Sequence, residues 1–573
     1  MSFLTFNPFK RERQNFPGVV IPLSEAPLRS HPTDVEKEKK DDSSIDQPKS
    51  LDRAPSAENG SAGSLRETSH LTIEVLRAEI DAEVSTAGLD TMYDRKAKVI
   101  NRAIQDIGMG RYQWELFALC GFGWTADNLW LQGVALTLTP IQNEFGLGES
   151  EVRFTTCALF VGLCIGASFW GVASDIVGRR LAFNCTLFLA GVFGLASGGG
   201  PNWIGTCALY ACLGLGVGGN LPVDGATFLE FLPCESGGYL TMLSVFWPIG
   251  QLIGSLFAWA YIPIFSCDPK VETCTKENNM GWRYLVLTLG AITFAMFCAR
   301  FFLFHLYESP KYLLSRGRQD EAVASVHGIA YRNKAKTWLT SEILNEIGGV
   351  AESKEEEKLS VGEIIKRFFS KFSMERIGPL FANKRLGFTT VLLWLCWATI
   401  GMGYPLFNAF LPQYLGSTAS STYITYRNYA ITSIIGVPGS VLACYTVEIK
   451  YIGRKGTMAI ATLITGVLLF CFTASTDSNV QLVCSCLEAF FQNIMYGVLY
   501  AYTPEVFPAP NRGTGTGIAS CLNRIAGLCA PLVAIYGSNA SPTAPIYASG
   551  ALILASFVAM VFLPIETRGK QTL

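Results

Sequence analysis

Gly171-Val-Ala-Ser-Asp175-Ile-Val-Gly178-Arg179-Arg180 stands where one long apolar run ends and the next begins. The spacing G-x-x-x-D-x-x-G-R-R/K makes physical sense as a tight cytosolic hinge between two membrane helices. Gly178 permits a turn that a Cβ would oppose, and Gly171 is expected to let a neighbouring helix come close. Asp175 can accept hydrogen bonds at the membrane–water boundary, while Arg179 and Arg180 hold that boundary in the cytosol. A solvated turn of no particular role explains one such residue, not the whole set between two apolar runs.

A weaker copy follows. Gly453-Arg454-Lys455 repeats Gly178-Arg179-Arg180, and Glu505-Val-Phe-Pro508 repeats Glu230-Phe-Leu-Pro233, both at an offset of 275 residues. Two unrelated patterns at one offset argue for a duplicated membrane half. The copy is imperfect, because Lys450 stands where Asp175 predicts an acid and Thr446 replaces Gly171.

Composition agrees. Half of the 573 residues are hydrophobic and 16% are charged, against about 25% in soluble domains, and the apolar residues come in long blocks. The expected class is an all-α, multi-pass membrane protein embedded in a lipid bilayer. A net charge of -1 gives no case for a nucleic-acid partner. Most of the 17 cysteines lie inside apolar segments as small packing residues. Cys267 and Cys274 share a polar loop on the expected outer face, where a disulfide and two free thiols are both open.

Apolar blocks near the roughly 20 residues needed to cross hydrocarbon place six spans at about 115–139, 153–175, 180–198, 203–226, 239–263 and 282–305. Six more fall at about 387–411, 428–449, 456–474, 480–503, 514–536 and 545–563. The expected organisation is a cytosolic N-terminal tail (1–112), a six-helix bundle (113–305), a cytosolic linker (306–385), a second six-helix bundle (386–563) and a short cytosolic tail (564–573). Within the first tail, residues 1–70 read as disordered. The stretch from Leu71 to Arg111 reads as amphipathic helices lying on the cytosolic membrane surface as anchors. Arg179, Arg180, Lys450, Arg454, Lys455 and Arg512 fall in proposed inner loops, so both termini are expected in the cytosol. The N-terminus is polar and offers no signal peptide. A monomer in the plasma membrane is expected rather than one in an internal membrane.

Four stretches resemble the major facilitator superfamily, and its sugar-porter and synaptic-vesicle-glycoprotein-related branches most closely. They are the 171–180 loop; Glu308-Ser-Pro-Lys-Tyr-Leu-Leu314 with Gly317-Arg318 and Glu321-Ala322; Pro504-Glu505-Val-Phe-Pro508 with Arg512-Gly513; and Pro564-Ile-Glu566-Thr567-Arg568-Gly569-Lys570. The resemblance implies twelve transmembrane helices in two pseudo-symmetric six-helix halves that rock about a central site. Two features depart from sugar porters. Tyr210 stands where that branch usually has an arginine before Gly214-Leu-Gly216-Val-Gly218, and Pro233-Cys-Glu-Ser-Gly237 lacks the terminal arginine. Gly121-Phe-Gly-Trp-Thr-Ala-Asp127 and Asn523-Arg524 look nearer to the vesicle-glycoprotein and organic-ion branches.

Ionisable groups within spans cost about 2.5–3.5 kcal/mol each at the bilayer centre by insertion scales, so each persists for a reason. Asp127 lies halfway through the first span. Two readings are open for it: exchange of a coupling proton, or permanent pairing with a base on another helix. Arg524, mid-span, needs an anion, either a substrate carboxylate or Glu488. Asn128, Gln132, Gln251, Gln492 and Asn493 can hydrogen-bond a polar solute or one another's helices. Asp224, Glu230 and Glu505 are expected to close the cytosolic side by pairing with the basic loops. Trp247, Trp394 and Trp397 are expected to anchor at the membrane interface rather than to stack on a ligand. No phosphate loop and no metal-ligand spacing is present, so neither an enzyme nor a cofactor is expected beyond a proton gradient. The expected function is secondary transport of a small polar organic solute, with carboxylates favoured over sugars. A non-transporting receptor or vesicle structural protein on the same scaffold, and a proton-driven efflux pump, are the alternatives.

Overall fold

The computed structural model describes residues 16–26 and 71–567, except 17, 88–91, 234–237, 268–273, 350–376, 382, 448, 450–451 and 508–511, and 539–540. Lys450 therefore lies outside the described residues. Two helices, α1 (Ile73–Ala87) and α2 (Met92–Ile107), precede the bundle. The first half comprises α3 (Arg111–Phe145), α4 (Phe154–Val177), α5 (Arg179–Ser197), α6 (Trp203–Phe231), α7 (Phe246–Phe265) and α8 (Gly281–Cys298). Three shorter helices follow: α9 (Pro310–Ser315), α10 (Gln319–Arg332) and α11 (Ser341–Gly348). The second half comprises α12 (Lys384–Asn408), α13 (Thr422–Thr446), α14 (Gly453–Ala474), α15 (Ser478–Val506), α16 (Arg512–Ser538) and α17 (Ala544–Val561).

The twelve bundle helices obey one pairing rule twice. In the first half α3 packs on α7, α4 on α6 and α5 on α8; in the second α12 packs on α16, α13 on α15 and α14 on α17. The halves then meet along α7 against α13 and α4 against α16, which are equivalent positions in the duplicated order. Glycine sets the closest of these approaches. A Cβ at Gly214 of α6 would lie 2.5 Å from the carbonyl oxygen of Leu159 on α4, so only a hydrogen there lets the backbones meet. Large apolar side chains such as Ile165, Phe169, Val441 and Val558 face outward, as they must where lipid is the solvent.

Among the described residues, eleven helices are long and apolar enough to cross a membrane by length and composition. The twelfth, α3, falls outside that set although it is 35 residues long. Its buried face carries Gln113, Asp127, Asn128 and Gln132, and these polar residues make it the least lipid-like span.

The segments flanking the first half correct two expectations. Leu76, Ile80, Val99, Ile100 and Ile104 of α1 and α2 are buried with Leu313, Val326, Trp338 and Leu344 in a second core of their own. Their apolar faces are therefore covered by the linker helices, not by the membrane surface. Lys96, also buried, donates to Gln319 Oε1 (2.7 Å) and Asn345 Oδ1 (3.1 Å), tying α2 to α10 and α11. Its burial lowers the ammonium pKa from the usual value. Residues 18–26, expected within a disordered tail, are placed as well. Ile21 N donates to Thr337 O (3.0 Å) and Thr337 N donates to Val19 O (2.9 Å), a two-way bridge between tail and linker.

Candidate functional site

The bundle centre is where α3, α7, α12, α15 and α16 bring polar side chains together. Arg524 of α16 places Nη2 3.3 Å from Asp127 Oδ1 of α3, an ion pair that spans the two halves. The other carboxylate oxygen accepts the indole N–H of Trp247 at 3.0 Å. Asp127 is therefore paired with a base on another helix in this conformation. Arg524 has its anion in Asp127, not in Glu488. Both charges are buried, and in such surroundings each would be costly without the other.

One helical turn beyond Asp127, the amides form a second layer across the same seam. Asn128 Nδ2 donates to Trp247 O (3.0 Å), Gln132 Nε2 donates to the Tyr404 hydroxyl (2.7 Å), and the Tyr429 hydroxyl donates to Gln132 Oε1. Gln251 Nε2 reaches the Tyr429 hydroxyl at 3.5 Å. On α15, Gln492 and Glu488 share Asn408, whose Nδ2 lies 3.1 Å from Gln492 Oε1 and 3.4 Å from Glu488 Oε1. Asn493 bonds the carbonyl of Ala489 on its own helix. The structure thus brings Asp127, Asn128, Gln132, Gln251 and Arg524 into one layered centre and places Glu488 and Gln492 beside it.

Aromatic rings wall this centre. Trp247, Tyr404 and Tyr496 form a triangle with centroid separations of 5.3, 5.3 and 5.4 Å. Tyr500 continues it, meeting Trp124 at 5.2 Å and Trp397 at 4.8 Å. Trp247 and Trp397 are buried with bonded indole N–H groups, and Trp394 donates to Gly515 O, so interfacial anchoring does not describe them. Between the rings, Asp127, Asn523 and Arg524 lies a cavity of about 30 Å³. That is room for about one water. Sequence reasoning passed over Tyr404, Tyr496 and Tyr500. The spacing of Glu488, Gln492, Tyr496 and Tyr500, each four residues from the last, marks one face of α15 and could have found two of them.

At the basic end the two copied turns have one construction. Gly178 adopts φ 112°, ψ 153°, and the amides of Arg179 (2.8 Å) and Arg180 (3.4 Å), which open α5, donate to Glu308 Oε1. In the copy Gly453 adopts φ 62°, and the amides of Arg454 and Lys455 donate to the two oxygens of Glu566, each at 3.1 Å. A carboxylate on the free amides of a helix N-terminus is favourable on both hydrogen-bonding and dipole grounds. Burial pushes Glu308 up to about 7, while the amide donors pull the other way. Each arginine then takes the acid ending the neighbouring span: Arg179 Nε lies 3.1 Å from Glu230 Oε1, and Arg454 pairs with Glu505.

Two expectations at this end change. Asp224 pairs with Arg300 at 2.5 Å rather than with the basic loop, because a π-helical turn at Ala299–Leu303 carries Arg300 inward. Arg300 also bonds the carbonyls of Leu119 and Phe183. Gly171 has nothing within 4 Å of where a Cβ would stand, so it admits no close helix. The side chains of Asp175 and Arg512 lie outside the described residues. Tyr210, standing in for the absent arginine, is buried beside the Thr137 hydroxyl at 3.3 Å. Cys267 and Cys274 are joined as a disulfide across their loop.

Comparison with known proteins places this geometry. The description of the Major Facilitator Superfamily matches residues 117–448 and 429–573. MFS siderochrome iron transporter 1 of Ceriporiopsis subvermispora is 46% identical over 85% of this chain and 93% of its own length. Niacin transporter NiaP of Acinetobacter baylyi is 28% identical over 82% of this chain and 97% of its own. Among solved structures, the proton:xylose symporter XylE superposes with a TM-score of 0.60 over 80% of this chain and 98% of its own, at 19% identity, a likeness of fold. With its twelve helices in two copied halves around a polar centre, the chain belongs to the Major Facilitator Superfamily and is a secondary transporter of a small molecule.

Proposed function

We propose that the protein carries a small organic carboxylate together with a proton by alternating access. The observation that carries this reading is the Asp127–Arg524 pair across the seam of the two halves. In this conformation Arg524 has its charge met by Asp127. A proton arriving on Asp127 removes that anion, and a guanidinium that cannot discharge itself then takes the substrate carboxylate in its place. Once the halves have rocked, loss of the proton returns Asp127 to Arg524 and displaces the substrate. One proton and one carboxylate travel together, so the loaded centre bears no more net charge than the empty one. Trp247 steadies Asp127 through its second oxygen, and Gln132 with Tyr404 and Tyr429 supplies the uncharged hydrogen bonds. Two relatives give support by their names: niacin is a carboxylate, and carnitine, in the name of Organic cation/carnitine transporter 7 of Arabidopsis thaliana, is another.

In this reading the basic end, with Arg179, Arg180, Arg454 and Lys455, faces the cytosol. The protein works as a monomer in the plasma membrane, and the proton gradient is its only coupling partner. The test is uptake of labelled nicotinate into proteoliposomes under an imposed pH gradient. Asp127→Asn is expected to abolish pH-driven accumulation while carboxylate exchange persists. Arg524→Lys is expected to raise KM for carboxylates by about tenfold or more. Unchanged pH dependence in Asp127→Asn overturns the proton role.

A further inference from the structure

Five acids within the spans or at their ends each hold a base. Asp127 has Arg524, Asp224 has Arg300, Glu144 has Arg283, Glu230 has Arg179 and Glu505 has Arg454. Glu488 of α15 is as buried as any of these, yet among the described residues no basic side chain pairs with it. One of its oxygens accepts a long bond from Asn408 Nδ2 at 3.4 Å, and the other, Oε2, has no partner. A carboxylate held so deep needs a cation or a proton.

The position of Glu488 relative to the cavity is the second observation. Glu488, Gln492, Tyr496 and Tyr500 occupy one face of α15, and Tyr496 and Tyr500 line the cavity beside Arg524. Eight residues of helix separate Glu488 from Tyr496, roughly 12 Å along the axis. Tyr404, one helical turn from Asn408 on α12, lines the same cavity, and Asn408 is the residue that bonds Glu488. The ring triangle of Trp247, Tyr404 and Tyr496 lines that cavity together with Arg524. Ring faces at such spacing attract a desolvated cation, quaternary ammonium above all.

We propose that Glu488 is a specificity-determining residue, and that the preferred substrate is a carboxylate that also carries a cationic nitrogen. Its carboxylate goes to Arg524, its nitrogen passes between the rings of Trp247, Tyr404 and Tyr496, and Glu488 supplies the counter-charge. This rests on the carboxylate reading above and adds to it the second charge of the solute.

The test uses the full-length transporter in proteoliposomes with two probes of the same shape. One is trimethylammonio-butanoate; the other is its all-carbon isostere, in which the quaternary nitrogen is a quaternary carbon. The wild type is expected to favour the ammonium probe by about tenfold in kcat/KM. Glu488→Gln is expected to bring the two probes level, and Glu488→Asp to restore part of the preference. A ratio within one variant does not depend on how much protein is inserted, so poor folding cannot imitate the result. A preference that survives Glu488→Gln, or a wild type that treats the probes alike while transporting both, overturns the proposal and leaves the carboxylate reading standing. Transport of neither probe by a well-folded wild type sinks both.

Discussion

In the first half the Gly178 turn gives its two free amides to Glu308, and Arg179 takes Glu230. In the second the Gly453 turn gives its own to Glu566, and Arg454 takes Glu505. The interiors then part company. The first half encloses Asp224–Arg300, and Arg300 additionally bonds Leu119 O of α3 and Phe183 O of α5 while lying 3.7 Å over the Phe183 ring. Four spans are thus fastened by one guanidinium. The equivalent helix of the second half carries its buried acid, Glu488, farther from the basic end, with amides and, among the described residues, no cation. What both halves share is the machinery of a turn that moves with its neighbours. What they do not share divides the labour: the first half is a braced body carrying Asp127, and the second offers polar capacity still open to a solute.

The largest test of that division is a matched pair of charge removals. Arg300→Ala strands Asp224 among apolar groups and is expected to cost roughly 3–5 kcal/mol. Glu488→Gln strands no cation, and a cost below about 1 kcal/mol is expected. Thermal unfolding in detergent, followed by tryptophan fluorescence, compares them directly. Combining Asp224→Asn with Arg300→Met should recover much of the loss, since a neutral pair leaves no charge uncompensated. Equal costs in the two halves would erase the distinction.

Next in size is the difference between the two turns. Gly178, at φ 112° and ψ 153°, sits in a region open to glycine alone, and an added Cβ would stand 2.6 Å from Glu308 Oε2. Gly178→Ala is expected to cost about 2–3 kcal/mol. Gly453, at φ 62°, lies in the left-handed region that asparagine also enters, but a Cβ there would stand 2.9 Å from the carboxyl carbon of Glu566, so Gly453→Asn is expected to cost about 1–2 kcal/mol. The same melting assay ranks the two, and the reverse order would mean that the second turn carries the greater constraint.

The repeat made most of the fold legible, because a glycine turn flanked by arginines has to sit at a membrane edge and its copy fixes the period. Helix ends followed from hydropathy, except on α3, where the polar face that builds the centre dilutes the apolar signal. The centre was legible as a set of costly residues but not as partnerships. Asp127 and Arg524 stand 397 positions apart, and no local pattern tells an acid which base will face it. Arg300 went unnoticed although it falls inside the expected span 282–305, near its end, and the π-helical turn carries it inward. The cover on α1 and α2 was hidden for a related reason. An amphipathic helix has the same pattern whether lipid or another helix will cover it, and the residues that do so, from Leu313 to Ile347, come two hundred positions later.

The smallest expected effect is the pH response of the first turn. Glu308 lies outside the spans, and burial raises it from 4.5 to about 7 when it is seated on α5. Below about 4.5 it is protonated whether seated or released, so its contribution there is constant. Between 4.5 and about 7 the seated form binds more protons than the released one, and seating therefore weakens as pH rises through that window. Above it the charged carboxylate keeps its bonds to Arg179 and Arg180 against the full cost of burial. Hydrogen exchange of a peptide spanning residues 174–184, corrected for the intrinsic pH dependence of exchange, should quicken from pH 5 to 8 by a factor on the order of ten. In Glu308→Gln, which has no proton to lose, the corrected rate should be flat across the same range. A flat wild type would mean that the amide donors fully offset burial, making the first turn a fixed joint rather than one that loosens as the pH rises.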